Sequence, residues 1–405
     1  MEAAAVRVVT RLEAMELLRA LVASVMADGV LELPKQALHE VDPDGIVRVY
    51  ASPDEATIVT PGRKLVQFMR LVDVVYGGLE QQRAATLRDV YYLLKGSRSG
   101  FSSYEACAKA VQQLSWRLGV PRFVLGIVAH SKGIVLGPVV ISTLQSHGLG
   151  SEAKYMTESA WNASILVRHH VLVPGQTSIA ALPHMAEPRL VLVVEKAAVF
   201  HQLEQAGLHR RFHCVILTGR GMPCLATRAF LKCLSLQFPA APILALVDWN
   251  PFGLGIALAY AHGSLSEAES YLWAVPRVRL VGLSGLDVER MTTSSLDAAG
   301  QPLTAADLAR AEGLLDLHAS SDVADVPREL GLMRQRGLKL ELEAVQMSEG
   351  RYKAGLLADD WLPRKLEAAL ALAPWPRGKH GGTNLEINVT SEGKLTTTEK
   401  EGEAG

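Results

Sequence analysis

The chain has 405 residues, about half of them apolar and a fifth charged, with a formal net charge of −1. That is enough chain for two or three domains with sizeable cores, and the balance is that of a globular protein, not a disordered one. The near-neutral total excludes an overall basic field that would gather nucleic acid unspecifically, although a local groove can be basic on a neutral protein.

Cys107, Cys214, Cys224 and Cys233 form no CxxC pair and no zinc spacing. They are expected to be buried reduced thiols of an intracellular protein. Glu2, Arg7, Arg11, Glu13 and Glu16 interrupt any secretory signal at the N-terminus. The long uncharged run after Asp248 contains Asn250, Pro251, His262 and several glycines, which makes it a poor membrane span.

Thr10 and Glu13 form a capping box for a helix with Leu12, Met15, Leu18, Val22, Val25 and Met26 on one side, ended by Gly29. Residues 1–64 read as an N-terminal arm without a legible role. A helix is expected over 65–79. Thr86-Leu87-Arg88-Asp89 then opens a second one, in which Leu87, Val90, Tyr91 and Leu94 form a single apolar stripe. Tyr91 belongs to that stripe and Tyr92 lies off it, with Arg88 one turn away on the same face. An off-core phenol beside a guanidinium suits either a nucleophile meeting a phosphate or an ordinary surface pair. Ser102-Ser103-Tyr104-Glu105 caps a third helix that ends at Gly119. Two strand-like runs, 123–129 and 134–140, are joined by Ser131-Lys132-Gly133. Three helices and a basic-tipped hairpin over 65–140 give the plan of a winged helix-turn-helix, or of any small α+β domain. Residues 141–186 are read as a connector.

From Pro188 strands and helices alternate. Apolar runs at 189–194, 214–217, 243–247 and 279–281 suit buried parallel strands of an α/β domain spanning 187–373. Helical material is expected from 304 to 373, including 305–318 and 338–347. A polar tail, 374–405, is expected to be disordered. Glu195 follows the first of these strands and Asp248 the third. Ligands of open parallel sheets sit beyond the carboxyl ends of the strands, and gathered carboxylates suit Mg²⁺. Either acid alone could merely cap the next helix.

The motifs resemble one family. Val193-Val194-Glu195-Lys196-Ala197-Ala198-Val199-Phe200 resembles the first motif of a Toprim domain, and Asp248-Trp249-Asn250-Pro251-Phe252-Gly253 its D-x-D-P-x-G motif. Thr218-Gly219-Arg220-Gly221-Met222-Pro223 with Thr227-Arg228, Arg88-Asp89-Val90-Tyr91-Tyr92, Ser131-Lys132-Gly133 and Leu362-Pro363-Arg364-Lys365-Leu366 are similar to further segments of one branch. That branch contains the meiotic double-strand-break transesterases and the topoisomerase VI A subunit. The resemblance runs from about residue 65 to 370, and the D-W-N-P form looks most like the plant or green-algal version.

The resemblance implies a winged helix-turn-helix followed by a Toprim domain. It makes Tyr92 the nucleophile that attacks the DNA backbone and stays linked to the 5′ end. A free phenol ionises only near pH ~10, so Arg88 would favour the phenolate and stabilise charge on the phosphate. Glu195 and Asp248 match the Mg²⁺-holding acids, and Lys132 and Arg228 are expected phosphate contacts. Asn250 replaces the usual second aspartate but still offers a carbonyl oxygen. Cys224 and Ala226 stand where the family usually has Asp and Asn.

Implied partners are double-stranded DNA, a second copy of the chain, other recombination factors and an ATPase-type topoisomerase VI B-like subunit. Implied location is the nucleus, with no membrane. No segment resembles a P-loop, so ATP belongs to another chain. Two alternatives stand beside a meiotic transesterase. One is a topoisomerase VI A subunit that rejoins the break and relaxes or decatenates DNA. The other is a non-catalytic DNA-binding paralogue.

Overall fold

A computed structural model describes residues 9–34, 38–41, 46–50, 56–96, 100–128, 132–143, 153–155, 165–166, 177–181, 186–265, 267, 269–318, 325–348, 351–371, 385–389 and 395–399. Helix α1 (Arg11–Asp28) opens on the Thr10–Glu13 capping box and ends on Gly29 in the left-handed region. Its buried face is Ala14, Met15, Leu18, Leu21 and Val25, while Leu12 and Met26 are exposed. It packs on α2 (Arg63–Glu80). Next come α3 (Leu87–Lys95), capped by Thr86, and α4 (Tyr104–Leu118), capped by Ser103. Helix α3 rests on α2 and α4, and on a parallel pair formed by Ala85–Thr86 with Ile127–Val128.

The expected hairpin after α4 does not form among the described residues. Residues 122–126 turn, Ile127–Val128 pairs with Ala85–Thr86, and β1 (Ile134–Leu136) leaves the helical layer altogether. It lies antiparallel against a strand of the following domain. The physical reason is burial: all three residues of Ile134-Val135-Leu136 are buried, whereas an exposed wing alternates. The short β2 (Ile165–Leu166) pairs with β1 in turn. Most of the expected connector lies outside the described residues; its other strands, Val139–Thr143, Ala153–Tyr155 and Thr177–Ala181, form a small antiparallel sheet.

Four parallel strands join β1 and β2 in a six-stranded main sheet: β3 (Leu190–Val194), β4 (Cys214–Thr218), β5 (Ile243–Leu246) and β6 (Val278–Leu280). The order is β2-β1-β4-β3-β5-β6. Every residue of β3, β4 and β5 is buried, as continuous apolar runs require in a sheet covered on both faces. Helices α5 (Ala197–Gln205), α6 (Leu225–Gln237) and α7 (Pro251–Ala261) follow β3, β4 and β5. Because β4 lies on one side of β3 and β5 on the other, the connections diverge between β3 and β5. The crevice of such a sheet opens there.

Helices α8 (Ala305–Leu317), α9 (Asp325–Arg336) and α10 (Leu362–Ala371) complete the domain. The helix expected over 338–347 is instead a two-residue strand, Leu338–Lys339, and a 3₁₀ turn, Leu342–Gln346. The alternation Leu338, Leu340, Leu342 against Lys339, Glu341, Glu343 is a strand period, and it turns Leu340 and Leu342 into the core. Part of the expected disordered tail is also ordered as an antiparallel pair, Leu385–Val389 with Leu395–Glu399. No described helix is long and apolar enough to cross a membrane.

Candidate active site

Thr86 and Asp89 cap each other at the start of α3: the Asp89 carboxylate accepts the Thr86 N–H at 2.9 Å and the Thr86 hydroxyl at 2.7 Å. This fixes where the helix begins, and hence which residues face outward. Leu87, Val90 and Leu94 are buried, Tyr91 is half-buried, and Tyr92 is 57% exposed. Arg88 is exposed one turn before Tyr92 and has no ion-pair partner among the described residues. The Lys95 ammonium lies 6.0 Å from the centre of the Tyr92 ring and 5.6 Å from that of Tyr91. Sequence reasoning did not single out Lys95, although its i+3 spacing from Tyr92 was the available signal.

The acids stand at the sheet crevice. Glu195 directly follows β3, and one of its oxygens accepts the Asp248 N–H at 2.9 Å, tying the ends of β3 and β5 together. Its own carbonyl accepts the Thr218 hydroxyl at 3.2 Å and the Gly221 N–H at 2.8 Å, so the Thr218-Gly219-Arg220-Gly221 turn clamps it from the β4 side. Asp248 is 2% exposed. One of its oxygens accepts the Leu342 N–H at 2.9 Å; the other faces the Lys196 ammonium at 3.0 Å. Gly253 is required here, because a Cβ would stand 2.5 Å from the Asp248 carbonyl and 2.9 Å from a Glu195 carboxylate oxygen.

Glu341 and Glu343, which sequence reasoning passed over, complete the cluster. Oxygens of Asp248, Glu341 and Glu343 lie within 4.8 Å of one another. The segment carrying the two glutamates is docked by its backbone, with Leu340 N–H to the Trp249 carbonyl at 3.0 Å and Leu342 N–H to Asp248. Trp249 is fully buried and donates its indole N–H to Glu329 at 2.8 Å. The Lys196 ammonium pairs with Asp248, with Glu343 at 2.8 Å and with Glu341.

Burial, then the neighbouring Asp248 carboxylate, pushes the Glu195 carboxyl up to about 7. Burial likewise raises Asp248, against the pull of the Leu342 N–H and Lys196. Burial works against the charge of Lys196, but hydrogen bonds to Glu341, Glu343 and Asp248 outweigh it and hold the ammonium above its ordinary range. Hard oxygen donors around a position already held by a cationic group fit a divalent ion such as Mg²⁺.

Asn250 serves as a helix cap. Its side-chain oxygen accepts the Gly253 N–H at 2.7 Å, with Pro251 in the first turn of α7. Lys132 is half-buried where β1 begins, beside Gly133, at which a Cβ would collide with the Thr227 side chain; Ser131 lies outside the described residues. Arg228 departs from the expected phosphate contact. It is 3% exposed, and its guanidinium pairs with Glu267 and donates to the Ser270 hydroxyl. Glu267 also pairs with Arg122 at 2.9 Å, and Arg122 with Glu269 at 2.9 Å. Arg122 follows α4 and Arg228 lies on α6, so this buried charge cluster joins the helical layer to the sheet domain. Such a guanidinium cannot reach solvent without breaking its pairs.

Residues 190–366 match the family model for the Toprim domain of Spo11 and of the topoisomerase 6 A-type chain, and residues 63–127 match "Type IIB DNA topoisomerase". The rice (Oryza sativa subsp. japonica) "Meiotic recombination protein SPO11-2" is 32% identical over 315 residues, 77% of this chain and 77% of its own length. This chain belongs to the Spo11/topoisomerase VI A family. The mouse (Mus musculus) "Meiotic recombination protein SPO11" is 27% identical over 308 residues, covering 75% of this chain and 71% of its own. The A3 chain of DNA topoisomerase 6 from Oryza sativa subsp. indica is 26% identical over 331 residues, covering 82% and 69%. The matched Toprim region contains β3 to β6, Glu195 and the three converging acids. The matched topoisomerase region contains α2 to α4 and Tyr92.

Proposed function

We propose that this chain makes meiotic DNA double-strand breaks by topoisomerase-like transesterification, with Tyr92 as the nucleophile. The observation that carries the proposal is the placement of Tyr92, a phenol 57% exposed on α3, with Arg88 on its face and Lys95 beside its ring. Its oxygen forms a bond to a backbone phosphorus as the bond from phosphorus to the 3′ oxygen breaks. The products are a 5′-phosphotyrosyl link and a 3′ hydroxyl: the phenol proton leaves to solvent as the new bond forms, and the departing 3′ oxygen takes one up. Arg88 and Lys95 offset charge on the pentavalent phosphate. Both cations lie on the same short helix as the nucleophile, so forming the helix brings them near it.

Asp248, Glu341 and Glu343, whose oxygens converge, would hold a divalent cation such as Mg²⁺, with Glu195 at the adjoining strand end as a further carboxylate and Asn250 capping the helix that follows. Bound there, the ion supplies positive charge to the scissile phosphate region. Tyr92 and the acids of one site work from opposite copies of a homodimer. DNA lies across the two copies, with Lys132 as a backbone contact. ATP is handled by a B-like partner chain, and the site of action is the nucleus. A topoisomerase VI A role, which reseals the break, is the second reading, favoured by the similarity to the rice topoisomerase chain over more of the sequence than the SPO11 matches cover.

The deciding measurement is recovery of denaturant-stable protein–DNA adducts from meiotic cells. Wild type is expected to carry 5′-linked DNA, and Tyr92→Phe none, with an unchanged melting temperature because the phenol is exposed. An adduct of equal yield in Tyr92→Phe refutes the assignment. Relaxation of supercoiled plasmid with ATP and a B-type partner would establish the second reading instead.

A further inference from the structure

The cation position among Asp248, Glu341 and Glu343 already holds a positive group. Lys196 is the residue between Glu195 and α5, at the turn from strand to helix. It makes no capping bond there and reaches across the crevice, with its ammonium 3.0 Å from Asp248, 2.8 Å from Glu343 and in contact with Glu341. These are the three residues whose oxygens converge within 4.8 Å. The free oxygen of Asp248, the one not held by Leu342, is the one that faces the ammonium. Side chains of Glu341 and Glu343 are 41% and 45% exposed, and that of Lys196 25%, so the arrangement opens toward solvent and the flexible lysine stem can leave.

We propose that Lys196 is a resident competitor for the metal: its ammonium neutralises Asp248, Glu341 and Glu343 in the metal-free protein, and a divalent ion enters only by displacing it. This rests on the metal reading of the same site. Two unit charges at such separations repel strongly in a partly buried crevice, so lysine and metal cannot share the position. The metal-free fold is thereby spared an unbalanced buried Asp248 carboxylate beside two half-exposed glutamates, at the expense of metal affinity. Asn250 lowers the negative charge of the site, and the competing lysine lowers its affinity further, so the chain is expected to load its ion weakly.

The test uses the full-length chain and Mn²⁺ as the probe, with free Mn²⁺ followed by electron paramagnetic resonance. Lys196→Met is expected to bind Mn²⁺ at least tenfold more tightly than wild type, and Lys196→Arg no more tightly. Equal or weaker binding by a folded Lys196→Met overturns the proposal. Since that variant loses the counter-charge and can fail to fold, wild type is also labelled with an amine acetylating reagent and read by mass spectrometry. Saturating Mn²⁺ should raise the reactivity of Lys196 severalfold while other lysines stay constant. Unchanged or reduced reactivity in a chain that does take up Mn²⁺ overturns the displacement alone. A wild-type chain that takes up no Mn²⁺ overturns the metal reading beneath it.

Discussion

The helix that carries Tyr92 and the crevice that carries the acids are built on opposite terms. Tyr92 is exposed, its ring touched only by Tyr91 and Lys95 among the described partners, and its place is set by one capping box and three buried side chains. Asp248 is almost fully buried, and each oxygen has an assigned partner from a different part of the chain. The proposed nucleophile, which must meet a large, variable substrate, is presented on a surface. A charge site that must hold its geometry without substrate is fixed by backbone donors and an internal counter-ion.

The sharpest way to break this comparison is to separate the halves between two copies. Tyr92→Phe and Glu195→Gln should each abolish cleavage alone. Mixed together, they should restore single-strand nicking, because one composite site per mixed dimer keeps both a tyrosine and an intact acid set. Absence of nicks in dimers shown to be mixed would place both halves in one copy.

A smaller effect separates Arg228 from the DNA surface. Arg228→Ala leaves Glu267 short of a partner in a buried cluster and should cost about 3 kcal/mol or more of stability, read by denaturant unfolding. If DNA affinity falls instead with stability unchanged, Arg228 is a phosphate contact after all.

Acid should loosen the contact between the C-terminal ends of α7 and α8. His318 packs 5.4 Å, ring to ring, from His262 at the end of α7, and burial, with the positive charges of His262 and Arg310, holds it down to about 4 from an ordinary 6.5. The fold favours the neutral imidazole, so its contribution is complete above pH about 6.5. It is lost as the pH falls toward about 4, where the unfolded chain takes up a proton that the folded chain refuses. The difference is on the order of 3 kcal/mol. His318→Gln should flatten the stability profile over that range, and an unchanged slope would assign it elsewhere.

The smallest effect is at the tyrosine helix. Thr86→Ala should cost about 1 kcal/mol, the usual worth of a cap, and lower cleavage by fraying the first turn beneath Arg88. Cleavage at wild-type level with that stability loss would mean the cap does not position Arg88.

Periodicity within one element was readable, and pairing between distant elements was not. The capping residues Thr10 and Thr86, the outward turn of Tyr92, and the four parallel strands follow from local pattern, as do the acids at the ends of β3 and β5. Strand β1, which lies between β2 and β4, reads as a wing in the sequence because its apolar run fits a hairpin as well as a sheet. Its partner, β4, begins 78 residues further on. Glu341 and Glu343 were hidden in a segment of strong helix formers whose two-residue alternation was the better guide. Arg228 looked free because Glu267 is 39 residues away in sequence.

The crossing of β1 into the sheet has a practical consequence for dissecting the molecule. A fragment beginning at residue 187 would carry the whole matched Toprim region, yet it would leave β4 as a bare, mostly apolar edge with its N–H and C=O groups open to any passing strand. Such a fragment should self-associate, while one beginning at residue 132 should keep that edge covered. The helical layer and the sheet therefore share one strand's worth of ownership, and a cut between them has to be made on the N-terminal side of Lys132.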